Sequence, residues 1–225
     1  AGYSDGYGAQ MQGIVNIQED TNLQIAVGQQ GSNNGGAGGT FVATGSDYSS
    51  ANPLIVAGGG GSAYNGDSNA NTGTAGNSGE ASGGTNGQGG TGYDGTGGGG
   101  FYSDGGGGQA TDQGGYGFQN GAMGAGEYVN DAYGGFGGGG APENDGDEPA
   151  GAGGYSGGGG ANDCDCDGDG DYEDPGGGGS YIADEFELST SSVGNSGAGY
   201  VEIRYVGSTL PESCQDIQQN GIDTS

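Results

Sequence analysis

The apolar positions of this chain gather toward its two ends and repeat there with a period of two. Leu23, Ile25 and Val27 alternate with Gln24 and Ala26, the pattern of a half-buried strand, and Ile14, Val15 and Ile17 lie just upstream. Two short apolar runs follow, Thr40-Phe41-Val42-Ala43-Thr44 and Pro53-Leu54-Ile55-Val56-Ala57. Near the other end come Tyr181-Ile182, Phe186-Glu187-Leu188 and a run over residues 199–206. In that last run Val201, Ile203 and Tyr205 share one face, and Glu202 and Arg204 the other. No segment repeats with a helical period. The pattern predicts one β-framed domain over residues 1–206, with residues 207–225 as a C-terminal tail.

Between the strand signals the chain is dominated by glycine. Of 225 residues 65 are glycine, and six uninterrupted blocks of four occupy positions 58–61, 97–100, 105–108, 137–140, 157–160 and 176–179. A chain this poor in large apolar side chains, with a formal net charge of -28, is by composition a disordered one or a flexible linker. Order requires another source of cohesion, and the backbone supplies a candidate. Each glycine brings one N–H and one C=O that must be bonded when buried. Extended threefold helices with polyproline II dihedrals leave those groups free, and without side chains such helices can pack side by side and bond to one another. Collagen is excluded, because there is no strict three-residue glycine period and only 5 prolines.

The order of non-glycine anchors resembles a known family. Val27-Gly28-Gln29-Gln30-Gly31, Gly38-Gly39-Thr40-Phe41-Val42 and Pro53-Leu54-Ile55-Val56-Ala57 with its four glycines follow the sequence of motifs in the glycine-rich domain of the anaplastic lymphoma kinase and leukocyte tyrosine kinase receptors. Gly134-Gly135-Phe136, Gly153-Gly154-Tyr155-Ser156, Ser180-Tyr181-Ile182 and Gly199-Tyr200-Val201-Glu202-Ile203 continue the likeness, which spans residues 8–206. It implies a mainly β/irregular fold: a tumour-necrosis-factor-like β-sandwich merged with a bundle of polyglycine II helices, in an extracellular, non-catalytic protein. The chain departs from the family in three respects. No kinase, membrane span or cysteine-rich module follows Val206, the family's opening strands do not precede Gly8-Ala9-Gln10, and only the short tail remains. The second departure predicts an unpaired sheet edge, a template for adding another chain.

Charge narrows the function classes. Asp and Glu number 29 against a single basic residue, Arg204, so neither nucleic acid nor an anionic membrane surface is an expected partner. Part of the acid is patterned. Asp163, Asp165, Asp167, Asp169 and Asp171 alternate along the chain, with Gly168 at the sixth position and Asp174 at the twelfth. This approaches the oxygen-rich calcium loop, although glycine replaces the flanking helices and Asp174 stands where glutamate is usual. The alternative is a solvated acidic loop. The cluster Glu143, Asp145, Asp147 and Glu148 lacks such spacing and reads as a surface loop. Of the three cysteines, Cys164 and Cys166 are too close to bridge each other comfortably. One of them is expected to pair with Cys214, leaving an odd thiol, free or intermolecular. A secreted, extracellular location favours that disulfide over a zinc thiolate. No leader is visible, so Ala1 is expected to be a processed end, and no apolar run reaches membrane-spanning length.

Histidine and lysine are both absent, which removes the commonest general base and the Schiff-base nucleophile, and no Lys-Ser/Thr follows a glycine block as a phosphate-binding loop requires. No enzyme activity is expected. The 14 tyrosines, many beside glycine, are expected to cover the edges of the bundle. Three function classes remain: a self-assembling homopolymeric subunit of an extracellular fibre, sheath or matrix; a ligand-binding ectodomain of a receptor-like protein; and an ice-binding protein. The first is favoured by the small size, the side-chain-poor core, the spare cysteine and the open edge.

Overall fold

The computed structural model describes residues 6–62, 68–108, 113–126, 132–142, 148–161 and 174–207. It is mainly β and irregular. Among the described residues six strands, β1 (Gly8–Ile14), β2 (Leu23–Ala26), β3 (Thr40–Thr44), β4 (Asn52–Ala57), β5 (Tyr181–Ile182) and β6 (Glu187–Asn195), form two antiparallel sheets. The larger has the order β2-β3-β4-β5, and the smaller pairs β1 with β6. The only helical turns among the described residues are 3-10 turns at Tyr48–Ser50 and Phe118–Asn120.

Register follows from the alternation of side chains. Within β3, Phe41 and Ala43 face one way and Val42 the other. Phe41 pairs with Ala26 on β2 and Val56 on β4, placing three buried side chains on one face. That face meets an aromatic plate. The rings of Phe41 and Phe118 lie 5.0 Å apart, and those of Phe118 and Phe101 are stacked at 4.8 Å. Tyr155 and Tyr181 stack at 4.6 Å beside it. On the opposite face, Val42, Leu54 and Ala183 make a smaller cluster, joined by Leu23, Phe186 and Val201. The smaller cluster lies on the sheet, and the larger joins the sheet to Phe101, Phe118 and Ala122 of the glycine-rich middle, whose remaining glycine segments carry few large apolar side chains.

One sequence expectation needs correction. The run over residues 199–206 forms no strand; Tyr200, Ile203, Tyr205 and Val206 are exposed, and only Val201 packs inward. An alternating pattern specifies a strand only where a sheet edge accepts it, and here the ladder stops at one bond, from the Gly199 N–H to the Gly28 carbonyl at 2.8 Å. The partner of β1 is instead β6, whose middle, Ser189-Thr190-Ser191-Ser192, carries no apolar signal. This pairing engages Gly8, Ala9 and Gln10 within the chain.

Candidate functional site: a glycine lattice and an open sheet edge

Outside the strands, the glycine blocks bond to one another across long sequence separations. Block 97–100 illustrates the arrangement. Its N–H groups donate to the carbonyls of Gly106, Gly158 and Gly138, and its carbonyls accept from Gly115, Gly90, Gly154 and Phe118. These partners lie on six different surrounding segments. Block 157–160 is tied in the same way to segments containing Asn77, Ala81 and Gly84, Gln88 and Thr91, Gly98, Ala152, and Gly176.

The bonds between a given pair of segments recur every third residue. Gly157 donates to Gln88 and Gly160 to Thr91, with the chains parallel; Gly176 donates to Gly159 and Gly179 to Ser156, with the chains antiparallel. Gly36 and Gly39 reach Gly140 and Gly137 in the same manner. A two-residue pleat directs bonds into one plane, whereas a three-residue repeat directs them around the chain. The segments approach so closely that side chains have no room. A Cβ built on Gly98 would overlap the Ala152 carbonyl, and one on Gly158 the Gly176 carbonyl. One block departs from the extended course: Gly137 and Gly138 turn through φ values of 104° and 83°.

Hydroxyls and prolines bracket the glycine segments, a signal that composition alone does not show. Ser62 follows block 58–61, Thr96 precedes block 97–100, Ser156 precedes block 157–160 and Ser180 follows block 176–179; all four are buried. Each hydroxyl stands in for a missing lattice partner. Ser156 Oγ accepts from the Gly87 N–H at 3.1 Å and donates to the Thr74 carbonyl at 2.6 Å. Thr96 Oγ1 accepts from the Ala141 N–H at 2.8 Å and donates to its carbonyl at 3.0 Å. Ser62 links Ala150 to Asn34, and Ser180 receives the Gly58 N–H. Buried Pro142, Pro149 and Pro175 lie at or near other segment ends, where the absence of an N–H removes a donor that would need a partner.

The acidic loop falls largely elsewhere. Asp163, Asp165, Asp167, Asp169, Asp171, Cys164, Cys166 and Cys214 lie outside the described residues, as do Glu143, Asp145 and Asp147. Asp174 is described and half-buried, next to Pro175 at the head of block 176–179. Glu148, expected in a surface loop, is buried. Among the described residues no group of three or more acidic, cysteine or histidine side chains gathers as a metal site, and no helix is long and apolar enough to cross a membrane.

Tyr7, Tyr48, Tyr93, Tyr102, Tyr116 and Tyr133 are exposed, while Tyr155 and Tyr181 are partly buried. Burial raises both of these phenols above the usual tyrosine range. For Tyr155 the neighbouring Tyr102 and Tyr181 add to it; for Tyr181 the carboxylates of Asp184 and Glu185 and the phenol of Tyr102 do.

The second feature is the outer edge of β2. Among the described residues this strand pairs only with β3 and ends the sheet order. Its four residues, Leu-Gln-Ile-Ala, carry no charge or proline that would guard an edge. A scan against protein-family models finds no match, and a search of curated proteins finds no relative.

Proposed function

We propose that the chain is a non-enzymatic extracellular structural protein, a self-assembling subunit of a fibre, sheath or matrix. In this reading its two sheets form a sandwich-like frame around a bundle of polyglycine II helices. The observation that carries it is the three-residue recurrence of hydrogen bonds that ties single glycine blocks to six neighbours. A core made of backbone leaves little chemically varied surface with which to build a catalytic or recognition pocket. It yields a rigid body held by many equivalent bonds, each contributing about 1 kcal/mol net. The unguarded edge of β2 supplies a means of propagation, since head-to-tail contacts that do not close generate fibres. The acidic surface keeps such a subunit soluble until cations screen it, and the loop containing Asp163–Asp174 is proposed to take calcium in that role.

Electron microscopy and sedimentation of the intact chain in calcium-containing saline test this reading. Filaments or sheets are expected. A discrete monomer at high concentration would replace it with the receptor-like ligand-binding reading.

A further inference from the structure

The outer edge of β2 and residues 196–206 of the same chain lie side by side. The Gly199 N–H donates to the Gly28 carbonyl at 2.8 Å, and Gln30 Nε2 donates to the Ser196 carbonyl at 3.3 Å. A Cβ on Gly199 would overlap Thr40 Oγ1 and crowd the Gly28 backbone, so glycine is what brings the segment this close. Val201 then packs on the sheet face of Val42 and Leu23. Beyond it the contact loosens. Residues 200–204 make no backbone hydrogen bond to other described residues, and Ile203 is 63% exposed.

The segment is nevertheless shaped for the edge beside it. Glu202 and Arg204 form an ion pair, as residues two apart do when the chain is extended and both lie on one face. The opposite face then carries Val201 and Ile203. Strand β2 presents the matching side. Asn22 turns its carbonyl toward β3, where it accepts from the Gly45 N–H, so by alternation Leu23 and Ile25 direct their own N–H and C=O groups outward. Ile25 sits across from Val42, on the face that receives Val201, and is 47% exposed.

We propose that residues 200–206 are a strap that closes on the outer edge of β2 within the same chain, as a fifth strand of that sheet, and guards it. Closure extends the antiparallel start made at Gly199, bonds the outward groups of Leu23 and Ile25, and covers Ile25 with Ile203. Continuity fixes the occupant. The strap is tethered beside β2 through Gly199 at high effective concentration, whereas a second copy approaches against its own net charge of -28. A strand added to β2 from outside therefore has to displace the strap first. The proposal goes beyond the assembly reading, since it concerns the single chain and holds whether or not that chain assembles.

Arg204 is the only lysine or arginine in the sequence, so trypsin reads the strap at a single bond, Arg204–Tyr205. Cleavage of a closed segment follows the population of its open form. With an open form of at most about 10%, the chain is cut at least about tenfold more slowly than a free peptide of residues 199–207. Val201→Ser removes the anchor and is expected to bring the rate toward that of the peptide. Hydrogen exchange is expected to find the Leu23 and Ile25 amides protected in the parent chain and released in the variant, with β3 and β4 unchanged in both. Protection that does not vary with protein concentration marks a strap acting within one chain. Cleavage of the parent at the peptide's rate, fast exchange at Leu23 and Ile25, or protection that grows with concentration would each overturn the strap.

Discussion

Gly98→Ala adds one methyl group to the centre of the lattice, and its effect can be worked out from the neighbours. The alanine Cβ would coincide with the Ala152 carbonyl, whose oxygen and carbon are the nearest atoms, with the Gly153 nitrogen at 3.0 Å. Neither side can yield by a rotamer change, because both are backbone. The segment containing Ala152 must move away, and it is held by bonds from the Ala152 N–H to Gly176 (3.0 Å), from Gly158 to the Ala152 carbonyl (2.8 Å) and from Gly154 to Gly99 (3.2 Å). Breaking these three at about 1 kcal/mol each gives roughly 3 kcal/mol of destabilisation, before any cost of leaving the groups buried and unbonded. Replacing glycine elsewhere works in the opposite direction: a less flexible unfolded chain stabilises by roughly 0.4–1 kcal/mol where the site accepts alanine. Gly197 is such a site, with nothing within 4 Å of the place its methyl would occupy and no left-handed φ. Urea denaturation of Gly98→Ala and Gly197→Ala, followed by far-ultraviolet circular dichroism, therefore compares two identical chemical changes with opposite expected signs. Equal midpoints for the two variants would refute the lattice argument, because they would show that Gly98 has room.

The remaining predictions concern the hydroxyl ends, the tyrosines and the acidic loop. Ser156→Ala strands the buried Gly87 N–H and Thr74 carbonyl and is expected to destabilise by about 1–3 kcal/mol, measured by thermal melting; Ser156→Thr, which keeps the hydroxyl, serves to separate bonding from volume. Tyr155 and Tyr181 have folded-state values raised above the unfolded one, so their contribution to stability is complete below about pH 10 and is lost as the pH rises through the folded values. Alkaline titration by phenolate absorbance should show a fraction of tyrosine ionising late, together with unfolding, and Tyr181→Phe should reduce that fraction; a single early transition for every ring would contradict it. Removing calcium with a chelator is expected to lower the melting temperature, and replacing Asp163, Asp165 and Asp167 by Asn should abolish the difference; an unchanged midpoint in the parent chain leaves the solvated-loop alternative.

Strands β3 and β4 were legible as short apolar runs, and β2 by its alternation, although Ile25 and Val27 of its apolar face are exposed and Ala26 on the other face is the buried residue. Leu23–Ala26, Thr40–Thr44 and the β4 run all lie where the pattern placed them. Strand β6 was legible only at its start, in Phe186-Glu187-Leu188; its exposed Ser and Thr residues pair through backbone groups, which leave no hydrophobic trace. The run over 199–206 failed in the other direction, since local alternation does not say whether an edge will be met. In the lattice, the blocks announce that bonding between backbones is sterically available, but no side chain records which block meets which. Gly97 neighbours Gly106 and Gly115, and nothing at those positions distinguishes them from other glycines. The bracketing hydroxyls Ser62, Thr96, Ser156 and Ser180 were visible beside the blocks, and reading them as substitutes for absent carbonyl and amide partners would have located the segment ends.

The sixfold surroundings of block 97–100 also bear on how the domain would respond to an applied force. A β-sheet is strong along its strands and across its hydrogen bonds, but its faces separate where only side chains meet. A backbone rod tied to neighbours in several transverse directions offers no single plane along which to shear. Pulling it loose requires breaking bonds to Gly90, Gly106, Gly115, Gly138, Gly154 and Gly158 on different sides together. Force applied to the frame strands is passed to the lattice through main-chain links such as the bond from Ala9 to the Gly58 carbonyl. The domain should therefore respond to tension as a uniformly cross-braced solid, yielding late and all at once.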